Sequence, residues 1–128
     1  MADAAPTGQP AIRVSAMPAD ANAYGDIFGG WLVGQMDLGA GLVAARHAKG
    51  RAVTIAMDRM QFHAPVAVGD EVSVYATIVK VGRSSMVIAV EAWRRARHGE
   101  EVQKVTEASF TFVAIDENRR PRPVESAP

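Results

Sequence analysis

Two hydrophobic periods divide the chain. Val72, Val74, Ala76 and Ile78 alternate with Ser73, Tyr75 and Thr77, and Met86, Ile88, Val90 and Ala92 continue the alternation with Glu91 and Arg95 on the opposite face. That period of two marks half-buried strands. Val102 to Ile115 reads as a long final strand with Phe110 and Phe112 on one face, Ala52 to Phe62 as a strand opening on β-branched residues, and Ala11 to Met17 as a short first one. Pro65, Gly69-Asp70, Gly82-Arg83-Ser84 and Arg97-His98-Gly99 punctuate the runs as turns or breaks. Between the first strand and the rest lies a different pattern. Trp31, Leu32, Val33, Met36, Leu38, Leu42 and Val43 are apolar almost all round a helix, which places that helix inside the fold. It starts near Gly29 or Gly30, carries Arg46, His47 and Lys49 in its last turn, and is capped by Gly50. Its length is roughly 18 residues, or about 27 Å. Gly34, Gly39 and Gly41 each cost about 1 kcal/mol relative to alanine, and close approach of another backbone, either the sheet or a symmetry-related helix, is the expected reason.

The order is thus strand, long buried helix, then four strands joined by tight turns that make antiparallel neighbours. This predicts an α+β domain, an antiparallel five-stranded sheet wrapped around one long buried helix. The domain spans residues 11–116, between a disordered segment at 1–10 and a charged, proline-rich tail at 117–128. One sheet face or edge is left to pair, and a homodimer would cover it.

Composition narrows the function classes. A chain of 128 residues suits one core, and fourteen basic residues balance fourteen acidic ones, so no global field points to nucleic acid or an anionic membrane. There is no cysteine, and His47, His63 and His98 are scattered, so neither a thiolate nor a metal centre is expected. The run from Ile27 to Ala45 is long enough to span a bilayer, but it contains Gln35, Asp37 and several glycines and lacks a far aromatic belt. The N-terminus has no basic segment followed by an apolar one, so the expectation is a cytoplasmic protein without a signal peptide.

The stretch Asn22 to Trp31 carries the candidate chemistry. A helix N-terminus exposes unpaired N–H groups, and Gly29 and Gly30 leave the approach to them open. A carbonyl oxygen that becomes an oxyanion suits that place. Asp26 is the only acid between Asp20 and Asp37, and lies just upstream. It can activate water or attack as a nucleophile; equally, its type and position suit a helix cap or a turn.

The run Pro18-x-Asp20-x-Asn22-x-x-Gly25-Asp26-Ile27-Phe28-Gly29-Gly30-Trp31-Leu32 resembles the signature of hotdog-fold acyl-CoA thioesterases of the YciA type. The likeness continues through Gln35-Met36-Asp37, the Val53 to Phe62 strand, Pro65 to Asp70, Gly82 to Ser85 and Phe112 to Asp116, and covers about Ile12 to Val124. It implies hydrolysis of acyl-CoA to free acid and CoA, in fatty acid metabolism, without a cofactor. It also implies a homodimer with shared active sites, built into a hexamer as a trimer of dimers. Carried onto this chain, the catalytic carboxylate falls on Asp26 and the oxyanion donors on Gly29 and Gly30, while Asn22 orients water or the thioester. Gly82, Arg83, Ser84 and Ser85 fall on the turn that approaches CoA. Asp37 is a fallback acid on the helix, eleven positions beyond Asp26. Asp58 and Arg59 read as a buried structural ion pair, His63 as a surface or packing residue, and Arg119, Arg120 and Arg122 as a solvated tail that can also meet phosphates. Two other functions stay in competition, a non-catalytic acyl-CoA sensor and a hotdog hydratase, the latter weakened because no histidine lies near the turn.

Overall fold

The apolar segment behind Phe28 forms one helix, α1, Gly29–Ala48, in the computed structural model of the chain, which describes residues 4–124. Leu32, Met36, Gly39, Ala40, Ala44 and Ala48 make its buried stripe. Their spacing of three and four keeps them on one side of a helix with 3.6 residues per turn. Leu38 and Leu42, on another side, are each 59% exposed. The helix is therefore not apolar all round because a sheet encloses it; one apolar stripe meets the sheet and a second faces outward. At Gly39 a Cβ would meet Val74 Cγ1 at 2.9 Å, so the close neighbour is a side chain of the sheet and not the backbone expected; Gly41 has only ordinary contact with Phe112, and nothing lies within 4 Å of a Cβ at Gly34.

The cap expected at Gly50 falls one residue earlier. Lys49 takes the left-handed conformation, with φ 55°, and donates its N–H to Ala45 O. Gly50 is needed for space instead: Arg122 Nη2 donates to Ala48 O at 2.7 Å, and a Cβ at position 50 would lie 2.6 Å from that nitrogen. A cation from the distant tail thus satisfies the last carbonyl of the helix, Ala48 O.

The strands are β1 (Ile12–Ser15), β2 (Ala52–Phe62), β3 (Glu71–Val81), β4 (Ser85–Arg95) and β5 (Val102–Ala114), all antiparallel, in the order β1-β3-β4-β5-β2. β3, β4 and β5 follow one another as tight hairpins. β2 does not pair with β3, its neighbour in sequence; it pairs with β5, Ala52 opposite Ala114 and Phe62 opposite Thr106. Residues 63–70 cross from one edge of the sheet to β3, and on the way Val66 is buried and its carbonyl accepts the Ile27 N–H at 2.9 Å. The crossover thus runs beneath the start of α1. Phe110, Phe112, Met86, Ile88 and Val74 fill the space between sheet and helix.

Asp70 ends the crossover. It is 4% exposed, and its Oδ2 accepts the Ala67 N–H at 2.9 Å and Arg94 Nη1 at 3.2 Å. Removing the carboxylate leaves a backbone donor without its acceptor, while Arg94 keeps its bonds to Gln103. Asp70→Ala is expected to destabilise the fold by about 2–3 kcal/mol, read from the urea unfolding midpoint at constant protein concentration.

Within one chain Asp58 and Arg59 form no buried pair. Both are exposed, no ion pair joins them among the described residues, and Arg59 has φ 55° where the register between β2 and β5 shifts. The irregularity turns both side chains outward on an edge strand. At the C-terminus, Asp116 Oδ1 accepts the N–H groups of Asn118 and Arg120, Ile115 bridges to Pro121, and buried Val124 donates to Arg83 O at 2.8 Å. The packed body therefore runs past residue 116 to Val124. Residues 4–10 form neither helix nor strand. The outer parts of the two expected terminal segments, 1–3 and 125–128, lie outside the described residues. No helix among the described residues is long and apolar enough to cross a membrane.

Candidate active site

The turn ahead of α1 is built by Asn22. Its Oδ1 accepts the N–H groups of Tyr24 at 2.8 Å and Asp26 at 3.2 Å, and its own N–H donates to Asp26 O at 2.6 Å. Gly25 closes the turn with φ 87°, a conformation that favours glycine. Asn22 is thus a turn former through its oxygen. Its Nδ2 hydrogens have no acceptor among the described residues and stay available to a ligand. Asp26 is exposed; its backbone bridges to Ala67 and its carboxylate has no partner among the described residues. The next residue, Ile27, is buried and anchors the turn against the crossover.

Phe28 occupies the N-cap position of α1, and no side chain caps the helix. Asp26 therefore does not serve as a cap. A Ser, Thr or Asp cap stabilises a helix by about 1 kcal/mol. Here that contribution is absent, and the Gly29 and Gly30 N–H groups have no acceptor among the described residues. They sit where the helix dipole favours negative charge. Phe62, at the end of β2, lies against Gly29, where a Cβ would meet its ring at 3.3 Å; nothing lies within 4 Å of a Cβ at Gly30. The end of the helix is therefore open from the Gly30 side.

Asp37 lies two turns further on. It is half-buried, and Thr54 Oγ1 donates to its Oδ1 at 2.6 Å, which orients the carboxylate and leaves its second oxygen free. It lines a groove of about 740 Å³ whose other walls include Ile12, Leu38, Leu42, Val53 and Phe112. A lone carboxylate in an apolar groove is a candidate acid or base. The seven residues from Gly30 to Asp37 span about 10 Å of helix, so in one chain the two cannot address the same carbonyl. The sequence supplied Asp37 only as a fallback, because neither Thr54 nor the groove is its neighbour in the chain.

The Gly82–Ser85 turn lies elsewhere. Gly82 N–H donates to Ser85 O at 2.8 Å, and Ser85 Oγ lies 2.6 Å from where a Gly82 Cβ would be, so a larger residue would make that hydroxyl rotate away. Ser84 O accepts Ala114 N–H, Ala114 O accepts Arg122 N–H, and Arg122 holds the last turn of α1. The turn, with exposed Arg83, is thus at the C-terminal end of the helix, whereas Asn22, Asp26, Gly29 and Gly30 are at the N-terminal end. The 20 residues of α1 put about 30 Å between them. One chain does not bring the predicted catalytic and CoA-binding groups together.

The model of the thioesterase superfamily matches residues 24–101. An uncharacterized acyl-CoA thioester hydrolase of Zymomonas mobilis is 65% identical over 117 residues, covering 91% of this chain and 78% of that protein. The acyl-CoA thioester hydrolase YciA of Salmonella typhimurium is 47% identical over 125 residues, covering 95% of this chain and 94% of YciA. Among solved structures, HI0827, a hexameric broad specificity acyl-coenzyme A thioesterase, superposes with a TM-score of 0.88 at 46% identity, over 96% of this chain and 85% of that one. The acyl-CoA hydrolase of Staphylococcus aureus, solved as an aspartate-to-alanine variant, has a TM-score of 0.81 at 27% identity, over 88% of this chain and 69% of that one. A second variant of it replaces an asparagine fifteen positions before that aspartate and is in complex with coenzyme A. With identities near one half over almost its full length, the chain belongs to the thioesterase superfamily, in the family of YciA-type acyl-CoA thioester hydrolases.

Proposed function

We propose that the chain hydrolyses acyl-CoA thioesters to a carboxylic acid and CoA, at a site assembled from two copies of itself. The observation that carries this reading is the separation just described. Free oxyanion donors at Gly29 and Gly30, the Asp37 groove and the Gly82–Ser85 turn are spread along one helix about 30 Å long. A second copy with its helix antiparallel sets its Gly29 and Gly30 beside the first copy's Asp37. The outward apolar stripe, Leu38 and Leu42, together with Val53, Ile55 and Met57 on edge strand β2, supports such a pairing, since long exposed apolar edges call for a partner. We take the homodimer as the catalytic unit, and three dimers as the hexamer that HI0827 forms.

In this reading Asp37 replaces Asp26 as the acting acid. Two observations support it. Thr54 orients Asp37 inside a groove, while Asp26 faces solvent in a turn held by backbone bonds. The asparagine and aspartate replaced in the Staphylococcus aureus enzyme stand fifteen positions apart, as do Asn22 and Asp37, whereas Asn22 and Asp26 are four apart. The thioester carbonyl oxygen accepts the Gly29 and Gly30 N–H groups of one copy. Asp37 of the other takes a proton from water, whose oxygen bonds to the carbonyl carbon, and Asn22 Nδ2 orients that water. The tetrahedral intermediate collapses, the C–S bond breaks, and the CoA sulfur takes the proton from Asp37. Gly82, Arg83, Ser84 and Ser85 hold the CoA portion. Water, a carboxylate and backbone donors suffice, so no cofactor enters the reaction. Such an enzyme, acting on CoA esters, belongs in the cytoplasm.

Thiol release from acyl-CoAs of graded chain length tests the reading. The expected result is turnover with kcat/KM on the order of 10⁴ M⁻¹ s⁻¹ or more for at least one chain length. Calorimetric binding of CoA esters without turnover of any of them would instead support a sensor. The hydratase alternative gains nothing from the structure: no histidine lines the Asp37 groove, and His63 is paired with Glu107 at 2.6 Å on the outer surface.

A further inference from the structure

Phe62 is the last residue of β2, and 54% of it stays exposed. It is nonetheless fixed in place. It pairs with Thr106 of β5, which is fully buried, and directly opposite residues share a sheet face, so the ring points to the helix side. The next residue fastens the strand end twice: His63 N–H donates to Val105 O at 2.8 Å, and its Nε2 lies 2.6 Å from Glu107 Oε2. The ring therefore ends against Gly29, where a Cβ would stand 3.3 Å from its Cε1 and 3.5 Å from its Cζ and would push it aside. Gly29 is half-buried and Gly30 exposed. The two neighbouring donors thus differ, one with an aromatic wall beside it and the other open. That wall covers the Gly29 side of an uncapped helix end, yet it carries no oxygen or nitrogen to accept the N–H.

We infer that Phe62 is a positioning residue of the oxyanion hole: its ring keeps water off the Gly29 N–H and leaves the Gly30 side as the way in for the thioester oxygen. The inference rests on the function proposed above and adds a residue to that site. Water on a free donor competes with the carbonyl oxygen and must leave before the oxyanion forms. A wall that excludes it removes this reorganisation and strengthens the pull of the donor by lowering the local dielectric. A Ser, Thr or Asp side chain in the same place would shield the N–H too, but would occupy it. The contact between Phe62 and Gly29 is made within one chain, so it does not depend on which face a second copy covers.

Phe62→Ala and Phe62→Val both withdraw the ring, and valine keeps a strand former at the end of β2. Each is expected to lower kcat for acyl-CoA about tenfold, less than the roughly 10²–10³-fold of a lost donor, with KM within about twofold, because a dry donor acts in the transition state. Phe62→Leu, which restores apolar bulk, should recover most of the loss. Amide hydrogen exchange in protein labelled with nitrogen-15 glycine supplies a readout that a merely structural role would not move. Gly29 exchange, taken relative to Gly30, should quicken about tenfold in the alanine and valine variants and much less in the leucine variant. Exchange needs no turnover, so it decides the wall even in a chain that hydrolyses no thioester, where the function proposed above fails by itself. Gly29 exchange unchanged by loss of the ring overturns the inference. So does faster exchange with unaltered kcat in a chain that hydrolyses acyl-CoA. An equal loss of kcat in all three variants, with a lower urea midpoint or a smaller assembly, overturns it as well and places Phe62 in the fold or in the pairing of copies.

Discussion

Asp37→Asn is expected to lower kcat for thioester hydrolysis by about 10³-fold, within the range for loss of a general base, while Asp26→Asn stays within about threefold of wild type. The substitution at 37 is nearly isosteric. The Asn Oδ1 can still accept the Thr54 hydroxyl that Asp37 accepts at 2.6 Å, so the helix and the groove should persist. What disappears is the basic oxygen that takes the proton of water. KM should change little, because a carboxylate reserved for the attacking water contributes mainly in the transition state. At position 26 the argument runs the other way. The side chain is exposed, and the turn is closed by the backbone groups of residue 26 and by Asn22. Thiol release at saturating acyl-CoA measures both. The reverse outcome, with Asp26→Asn inactive and Asp37→Asn active, would return the acid to the turn.

The second large effect is at the helix end. Gly30→Pro should reduce kcat by about 10²–10³-fold, the cost of one lost oxyanion donor. Proline is accepted in the first turn of a helix, where its missing N–H breaks no intrahelical bond. Nothing lies within 4 Å of a Cβ at this position, so no other part of the fold crowds a side chain there. Gly30→Ala keeps the N–H and should remain within about threefold of wild type, which separates loss of the donor from added bulk. The same pair of sites reports on assembly. If Asp37 and Gly30 of different copies form one site, co-refolding Asp37→Asn with Gly30→Pro restores a wild-type site in every mixed dimer. Random pairing then predicts about a quarter of wild-type activity from two nearly inactive parents. Mixed oligomers confirmed by native mass spectrometry but lacking activity would place the whole site within one chain.

Much of this architecture is legible along the chain because it rests on local periods. The Ala52 to Phe62 strand has the same bounds in sequence and structure, since its flanking Gly50 and Pro65 are local signals. The start of α1 at Gly29 and the turn at Gly25 follow likewise from conformational preferences of single residues. Strand pairing does not. β2 joins β5 through pairs that lie 44 to 62 positions apart, from Phe62 with Thr106 to Ala52 with Ala114, and no local pattern encodes that pairing. Gly50 was a good cap by type, but a tail arginine more than seventy positions away decides what it does.

The site divides along the same line. The amino-acid sequence by itself determined the glycine-marked helix end, the turn before it, the family, and the presence of acids near both, because each is set by residue type and short spacing, while the absence of a side-chain cap came from the structure. It favoured Asp26 over Asp37 because adjacency in the chain is the only distance a sequence contains. Only the tertiary structure decided which acid stands in a groove, since Thr54 from β2, Ile12 from β1 and Phe112 from β5 build the walls around Asp37. Only it showed that Gly29 and Gly30, Asp37 and the Gly82–Ser85 turn lie at different stations along one rigid helix. Rigidity is the physical reason: a helix rises about 1.5 Å per residue and cannot fold back on itself, so groups spread along it meet only through another copy of the chain.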